Sequence, residues 1–193
     1  MNGQEHTASL LAQPRAKAPE GVKGKPFEAH FESTSFSTLD ESRESVSGSI
    51  YRDQEGRIRI EYRFSTGERT TLILDPDNNN LMILDDVARE AYREQAGVSQ
   101  VGWAFANCIP AYTAEYKVIK GVRCQRVLLK DAFTRSAVGE TWLSDALGVV
   151  MKDEGEANGV IRDWHVTEFE LKEPPHDLFK VPKEYRIITA NDR

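Results

Sequence analysis

The sequence lacks the long apolar run that a membrane-spanning helix needs. No stretch of the 193 residues approaches the roughly 20 consecutive apolar side chains that cross a bilayer. Residues 1–24 also lack the apolar core of a signal peptide. We therefore expect no transmembrane segment and no leader here, which leaves two interpretations: a cytoplasmic protein, or a mature exported domain.

Positive charge is also scarce. The chain carries 25 Lys and Arg against 31 Asp and Glu, a formal net charge of −6. Proteins that bind nucleic acid usually present a basic face that replaces the counterions of the phosphates. Because the basic residues are scattered among a larger number of acids, we expect no nucleic-acid partner.

Cysteine and histidine are too few for a metal centre. There are two cysteines, Cys108 and Cys124, and four histidines far apart in sequence, whereas a zinc site needs a denser cluster. We expect no metal and no cofactor. Two readings of the cysteines stay open: free thiols, or one Cys108–Cys124 disulfide that would stabilise the chain by about 3 kcal/mol. The redox state of the compartment decides between them.

Catalytic signatures are missing too. The sequence contains no Gly-x-Ser-x-Gly elbow, glycine-rich phosphate loop or His-Glu-x-x-His segment. Asp75, Asp77 and Asn79 have the opening spacing of a calcium loop, but Asn80 occupies the sixth position, which such a loop reserves for glycine. We interpret the segment as a polar turn and the acidic pair that begins at Asp153 as a solvated turn. We expect the protein not to be an enzyme.

What the chain does contain is alternating polarity. Residues 26–32 and 57–64 alternate apolar with polar side chains, the two-residue period of a half-buried strand. Turn-forming residues at 53–56 and 75–80 predict two hairpins. Strand-like runs punctuated by glycine follow from 114 to 171. The pattern predicts a mainly β domain, either an antiparallel sheet, a sandwich or an open barrel.

One helix candidate interrupts these strands. Residues 85–97 begin with Asp85 or Asp86, which could cap a helix, and end with Gly97, which could terminate one. A continued strand through Ala91 is the alternative.

The ends of the chain set the predicted domain limits. We expect a flexible N-terminal arm over 1–24, a single β-rich domain over 25–187 and a C-terminal tail over 188–193. Two prolines bracket the apolar segment 178–181. We expect this segment to close the core while the prolines prevent further strand pairing.

Aromatic side chains are the remaining signal. The candidates are Phe27, Phe31, Trp103, Phe105, Trp142, Trp164 and Phe169. The simplest reading is an ordinary core. The sharper reading is that a curved sheet with few helices has a concave apolar face, which its own side chains, a lid or a ligand must fill.

Several segments also occur in an order that resembles one group of proteins. They are Gly24–Phe27, Gly48–Arg59, Leu74–Pro76, Glu140–Ser144, Leu147–Val150 and Asp177–Pro182. Over roughly residues 24–187 the chain resembles an uncharacterised family of exported bacterial β-rich proteins, similar in layout to the outer-membrane lipoprotein-carrier (LolA-like) and lipoprotein-sorting superfamily. The resemblance implies a periplasmic or otherwise exported domain with a curved antiparallel sheet or open half-barrel and one or few short helices. It also implies an apolar concavity of the kind that receives acyl chains.

Two main functional hypotheses follow, beside a third, a hydrolase whose site no motif reveals. The first is a non-enzymatic exported domain that binds an apolar ligand, such as a lipid or lipoprotein acyl chain, in the concave face at the seven aromatic candidates. The second is a protein-interaction or structural module of the cell envelope. It predicts a filled core and an exposed sheet edge or patch that recruits an envelope protein.

Overall fold

Strands account for nearly all the regular structure of the residues that can be described. The computed structural model describes residues 23–95, 108–157 and 159–189. The strands are β1 (Phe27–Ser37), β2 (Arg43–Arg52), β3 (Ile58–Phe64), β4 (Arg69–Asp75), β5 (Asn80–Asp85), β6 (Glu90–Gln95), β7 (Cys108–Ile119), β8 (Val122–Asp131), β9 (Ala137–Ser144), β10 (Val149–Ala157), β11 (Val160–Glu170) and β12 (Arg186–Ile188). A 3-10 helix, His176–Phe179, lies between β11 and β12. The predicted N-terminal arm, 1–24, falls almost wholly outside the described residues.

All twelve strands belong to one sheet. Two meanders, β1 to β6 and β7 to β11, lie side by side and join through β1 and β11, giving the order β12-β6-β5-β4-β3-β2-β1-β11-β10-β9-β8-β7. Neighbouring strands are antiparallel except β12, which runs parallel to β6. The predicted mainly β fold, a curved antiparallel sheet forming an open half-barrel, is confirmed. No helix among the described residues is long and apolar enough to cross a membrane.

The two predicted hairpins are confirmed, and local chemistry explains them. Gly56 has φ 84° and donates its N–H to the carbonyl of Asp53, closing the β2–β3 turn at 3.1 Å. In the β4–β5 turn, Asn79 has φ 49°, and the Asp75 carboxylate accepts hydrogen bonds from the Asn78 backbone and side chain. The residues that suggested a calcium loop therefore hold a turn.

The helix predicted over 85–97 is wrong for residues 85–95, where the strand alternative is right, and residues 96 and 97 lie outside the described residues. The Asp85 carboxylate accepts N–H bonds from Val87 and Ala88, both at 2.9 Å, so the group that could cap a helix forms a turn instead. Beyond it, Glu90–Gln95 pairs with β5. Tertiary pairing with a strongly apolar strand overrides the local preference.

The sheet curls towards the face that carries Phe27. Arg52, at the end of β2, lies over the Phe27 ring at 4.7 Å. It donates to the carbonyl of Leu147 in the β9–β10 turn at 2.6 Å, although β1 and β11 separate β2 from β10. Lys25 reaches the Ala146 carbonyl of the same turn. Because strands are spaced by about 4.8 Å, a flat sheet would not bring these groups together.

The register defines two faces in the first meander and β11. The apolar face carries Phe27, Phe31, Ile50, Ile60 and Trp164 and lies on the inside of the curve. The polar face carries His30, Glu32, Ser49, Glu61 and Arg63.

The C-terminal segment crosses the polar face from β11 to the far edge of the sheet. Phe179 is buried, and Val181 and Tyr185 pack on a cluster formed by β4, β5 and β6. The segment does close part of the core. The expectation that the prolines prevent further strand pairing is wrong, because Arg186–Ile188, which follows Pro182 in the chain, pairs with β6.

Candidate functional site

The described aromatic candidates lie in or beside one packed core. Phe27, Phe31 and Trp142 are buried, with 2%, 2% and 7% of their surface exposed, and they belong to one cluster. The Phe27 ring stacks on the Phe169 ring with 5.2 Å between their centroids, and the centroids of the Phe31 and Trp164 rings are 5.5 Å apart. Phe169 and Trp164 are half-buried at the margin of this cluster. Trp103 and Phe105 lie outside the described residues.

A glycine allows this packing. Phe31 and Tyr62 are both cross-strand partners of Gly48, and their rings meet edge to face at 5.7 Å. A Cβ at Gly48 would lie 1.9 Å from the Glu61 carbonyl and 2.6 Å from the Phe31 ring. The absent side chain therefore lets two aromatic residues meet across the middle strand.

The apolar face also carries a buried acid. The solvated turn predicted at Asp153 is wrong, because this residue lies in β10 with 2% of its surface exposed. Arg162 donates to its Oδ2 at 2.5 Å, while Oδ1 makes no hydrogen bond within the described structure. Burial raises the pKa of Asp153 to about 6 despite the attraction of Arg162. Burial likewise raises the pKa of Tyr62 to about 12.

A groove of about 460 Å³ lies on the opposite, polar face. Its floor is built from two rows of side chains across β1 to β4. The first row is Glu32, Ser47, Arg63 and Arg69, and the second is His30, Ser49, Glu61 and Thr71. Asp86, Pro182 and Tyr185 form a wall from the β5–β6 turn and the C-terminal segment. The sequence pattern predicted the polar face but not the wall, because only tertiary packing brings the C-terminal segment there.

A second polar cluster has the geometry of a metal site. Asp53, Glu55 and His176 place their ligand atoms within 4.8 Å of one another. The Arg57 guanidinium, however, contacts the Asp53 carboxylate at 2.6 Å, Glu55 at 3.5 Å and His176 Nδ1 at 3.0 Å. Since Arg57 already supplies the positive charge among these groups, we interpret the cluster as a structural ion pair that anchors the 3-10 helix.

The two cysteines are far apart, which corrects the disulfide alternative. Cys108 pairs with Asp131 at one end of the β7–β8 hairpin, and Cys124 pairs with Lys117 towards the other. The seven-residue separation along β8 corresponds to about 23 Å, whereas a disulfide needs Cα atoms within about 7 Å. Both thiols are free. Burial raises the pKa of Cys124 to about 11, so this thiol is unreactive.

The last candidate surface is the edge strand β7. This twelve-residue strand ends the sheet order and pairs only with β8 among the described residues. Its exposed apolar side chains are Ile109, Tyr112, Tyr116 and Val118. At the opposite end of the sheet, β12 covers the edge of β6. The sheet therefore has one edge covered by its own chain and one that is open in the described structure.

Comparison with known proteins shows which structures share this fold but assigns the chain to no family. No family model and no curated protein matches the sequence. An uncharacterised conserved protein from Thermus thermophilus matches with TM-score 0.60 and 10% identity, over 95% of this chain and 99% of that one. MucB of Pseudomonas aeruginosa, solved with MucA, matches with TM-score 0.51 and 12% identity, over 96% of this chain and 64% of that one.

A LolA-superfamily protein from Nitrosomonas europaea also matches, with TM-score 0.42 and 10% identity, over 89% of this chain and 96% of that one. This chain thus spans less than two thirds of MucB and nearly the whole Thermus protein. Identities this low show likeness of fold alone. At that level the chain shares its fold with the Thermus protein and with MucB, and its open half-barrel is consistent with the LolA-like resemblance.

Proposed function

We propose that this chain is a non-enzymatic protein-interaction module of the bacterial cell envelope, which binds an extended segment of a partner protein at β7. One contrast carries the proposal. The described apolar face is packed with its own side chains, whereas β7 carries exposed apolar residues and has no partner on its outer edge among the residues that the structure describes.

An open edge strand is a ready template for another strand. Its outer N–H and C=O groups can pair with an incoming backbone, and alternate side chains supply specificity. Tyr112, Tyr116 and Val118 have 57%, 49% and 69% of their surface exposed. Covering apolar side chains gives about 25 cal/mol per Å² of buried area, so strand addition here would combine backbone pairing with apolar burial.

The resemblance supports the compartment and the type of partner. Likeness to the exported LolA-like superfamily favours an envelope location for this domain. MucB, which has a similar fold, was solved in complex with MucA, another protein. Both observations favour an envelope protein as the partner of this chain.

Site-specific photo-cross-linking tests the proposal. A photoreactive residue replaces Val118 on β7 in one variant, and Val87 in a matched control. Val87 is 97% exposed in the β5–β6 turn, away from the open edge. We expect a protein adduct from position 118 in the envelope fraction and none from position 87 or from the cytosol. Absence of an adduct at 118, or equal adducts at both positions, would contradict the proposal.

The second candidate function is binding of a lipid or acyl chain at the apolar face. Trp164 and Phe169 favour it, because they remain half-buried beside the core and offer aromatic surface to an apolar ligand. Native mass spectrometry of freshly purified protein, followed by solvent extraction, separates the two functions. A stoichiometric lipid would favour the carrier, and its absence together with failure to bind apolar probes would exclude it.

A further inference from the structure

The groove on the polar face contains two arginines that face each other. Arg63 on β3 is the direct cross-strand partner of Arg69 on β4, and both are exposed and line the groove. Directly opposed side chains in an antiparallel pair have Cβ atoms about 5 Å apart, and like charges at that separation are destabilising. This arrangement is costly unless another group neutralises it.

Most other charges of the groove already have partners. Arg59 donates to Glu61 at 2.7 Å and to the Leu178 carbonyl at 2.8 Å. Asp86 accepts a hydrogen bond from Tyr185. Ion pairing within the groove therefore does not account for the two opposed arginines.

Arg63 and Arg69 themselves make no ion pair or side-chain hydrogen bond within the described ranges. Glu32 shares their row but lies two strands from Arg63, about 10 Å across the sheet. Ser47, between Glu32 and Arg63, adds a hydroxyl beside the pair. Among the described residues, two guanidinium groups without an ion pair and one hydroxyl thus line the same side of the groove.

We propose that Arg63 and Arg69 form a binding site for an oxyanion, phosphate or carboxylate, carried by a ligand that lies in this groove. Guanidinium groups bind such oxyanions through paired, charge-assisted hydrogen bonds. One anion between the two arginines would replace their repulsion with two attractions. The groove volume of about 460 Å³ accommodates a small ligand. This site is independent of the partner proposed for β7.

Titration followed by backbone NMR tests the site, because it detects weak binding residue by residue. Inorganic phosphate and succinate are titrated separately, with sodium chloride holding ionic strength constant so that screening does not imitate binding. We expect saturable shifts at Arg63, Arg69 and Ser47. Saturation by phosphate alone identifies a phosphate site, and saturation by succinate alone identifies a carboxylate site. Saturation by both supports a general oxyanion site.

Charge-removing variants complete the test. Arg63→Gln and Arg69→Gln should each weaken binding about tenfold, whereas Arg135→Gln, in the exposed β8–β9 turn, should not change it. In chloride alone, the two groove variants should melt no lower than the original chain, because each relieves repulsion. The absence of saturable shifts, an equal effect of chloride, equal weakening by Arg135→Gln, or a lower melting temperature of the groove variants would each overturn the proposal.

Discussion

At the scale of single residues, two positions whose role the alternating pattern does not reveal shape the apolar face. Gly48 and Asp153 both lie on strands where the local sequence is polar or mixed. Strand periodicity assigns a residue to a face, but it does not reveal which neighbours that face will meet. The crowding around Gly48 and the burial of Asp153 arise from cross-strand partners distant in sequence.

Gly48→Ala should destabilise the fold severely. The new methyl group would overlap the backbone carbonyl of Glu61, which cannot move aside as a flexible side chain could. We expect a loss of about 3 kcal/mol or more in the free energy of unfolding, measured by urea denaturation. Gly121→Ala is the control, since Gly121 has φ 79° but open space around it. Its cost should be about 1 kcal/mol, and equal losses would refute the crowding argument.

Asp153 should make stability fall as pH rises through the acid range. Its pKa rises from 3.8 to about 6 on folding, so the folded state favours the protonated form. This contribution is fully present below pH 3.8 and disappears as pH rises through 6, a change of about 2 to 3 kcal/mol. Carboxyl groups whose pKa is lowered on folding have the opposite effect on the pH dependence of stability. Asp40, for example, has its pKa lowered to about 2 by hydrogen bonds from Ser37 and Ser42.

The Asp153→Asn variant isolates this contribution. Urea denaturation of both proteins between about pH 4 and pH 7 should show the variant gaining stability relative to the original chain as pH rises. A difference that stays constant across this range would show that Asp153 titrates normally in the fold.

At the scale of elements, hairpins were predictable and edges were not. The turns at Gly56 and Asn79 follow from residues that tolerate positive φ, a property visible in the sequence. The segment 85–95 has the start signal of a helix but forms a turn and a strand, because Asp85 can begin either a helix or a turn. The sequence does not predict strand β12, because its three residues pair with a strand far away in the sequence. No local sequence pattern indicates such pairing.

The C-terminal segment should contribute to stability through Phe179. This ring is 6% exposed and lies 5.4 Å from the Arg57 guanidinium, which is itself paired with the buried Asp53. Phe179→Ala should lower the free energy of unfolding by about 3 kcal/mol, since it leaves a cavity. Leu171→Ala, at a position 63% exposed, should change it by less than about 0.5 kcal/mol. Similar effects would mean that the segment is only loosely attached.

At the scale of the whole molecule, curvature separates the two functions considered. The sequence predicted an apolar face, but alternation contains no information on how tightly a sheet curls. The hydrogen bond from Arg52 to the β9–β10 turn shows that the sheet is curled. The described aromatic candidates pack inside the curve. In the described structure the filled face and the open edge support our proposal that the chain recruits a protein rather than carries a lipid.

Hydrogen exchange on the complex with the cross-linked partner tests this account most directly. In the free protein, amides on the outer edge of β7 should exchange rapidly, since they have no strand partner in the described sheet. Strand addition predicts that exchange slows across β7 when the partner binds, while β1 and β2, at the middle of the sheet, remain unchanged. Protection confined to strands of the apolar face, with β7 unaffected, would contradict the account.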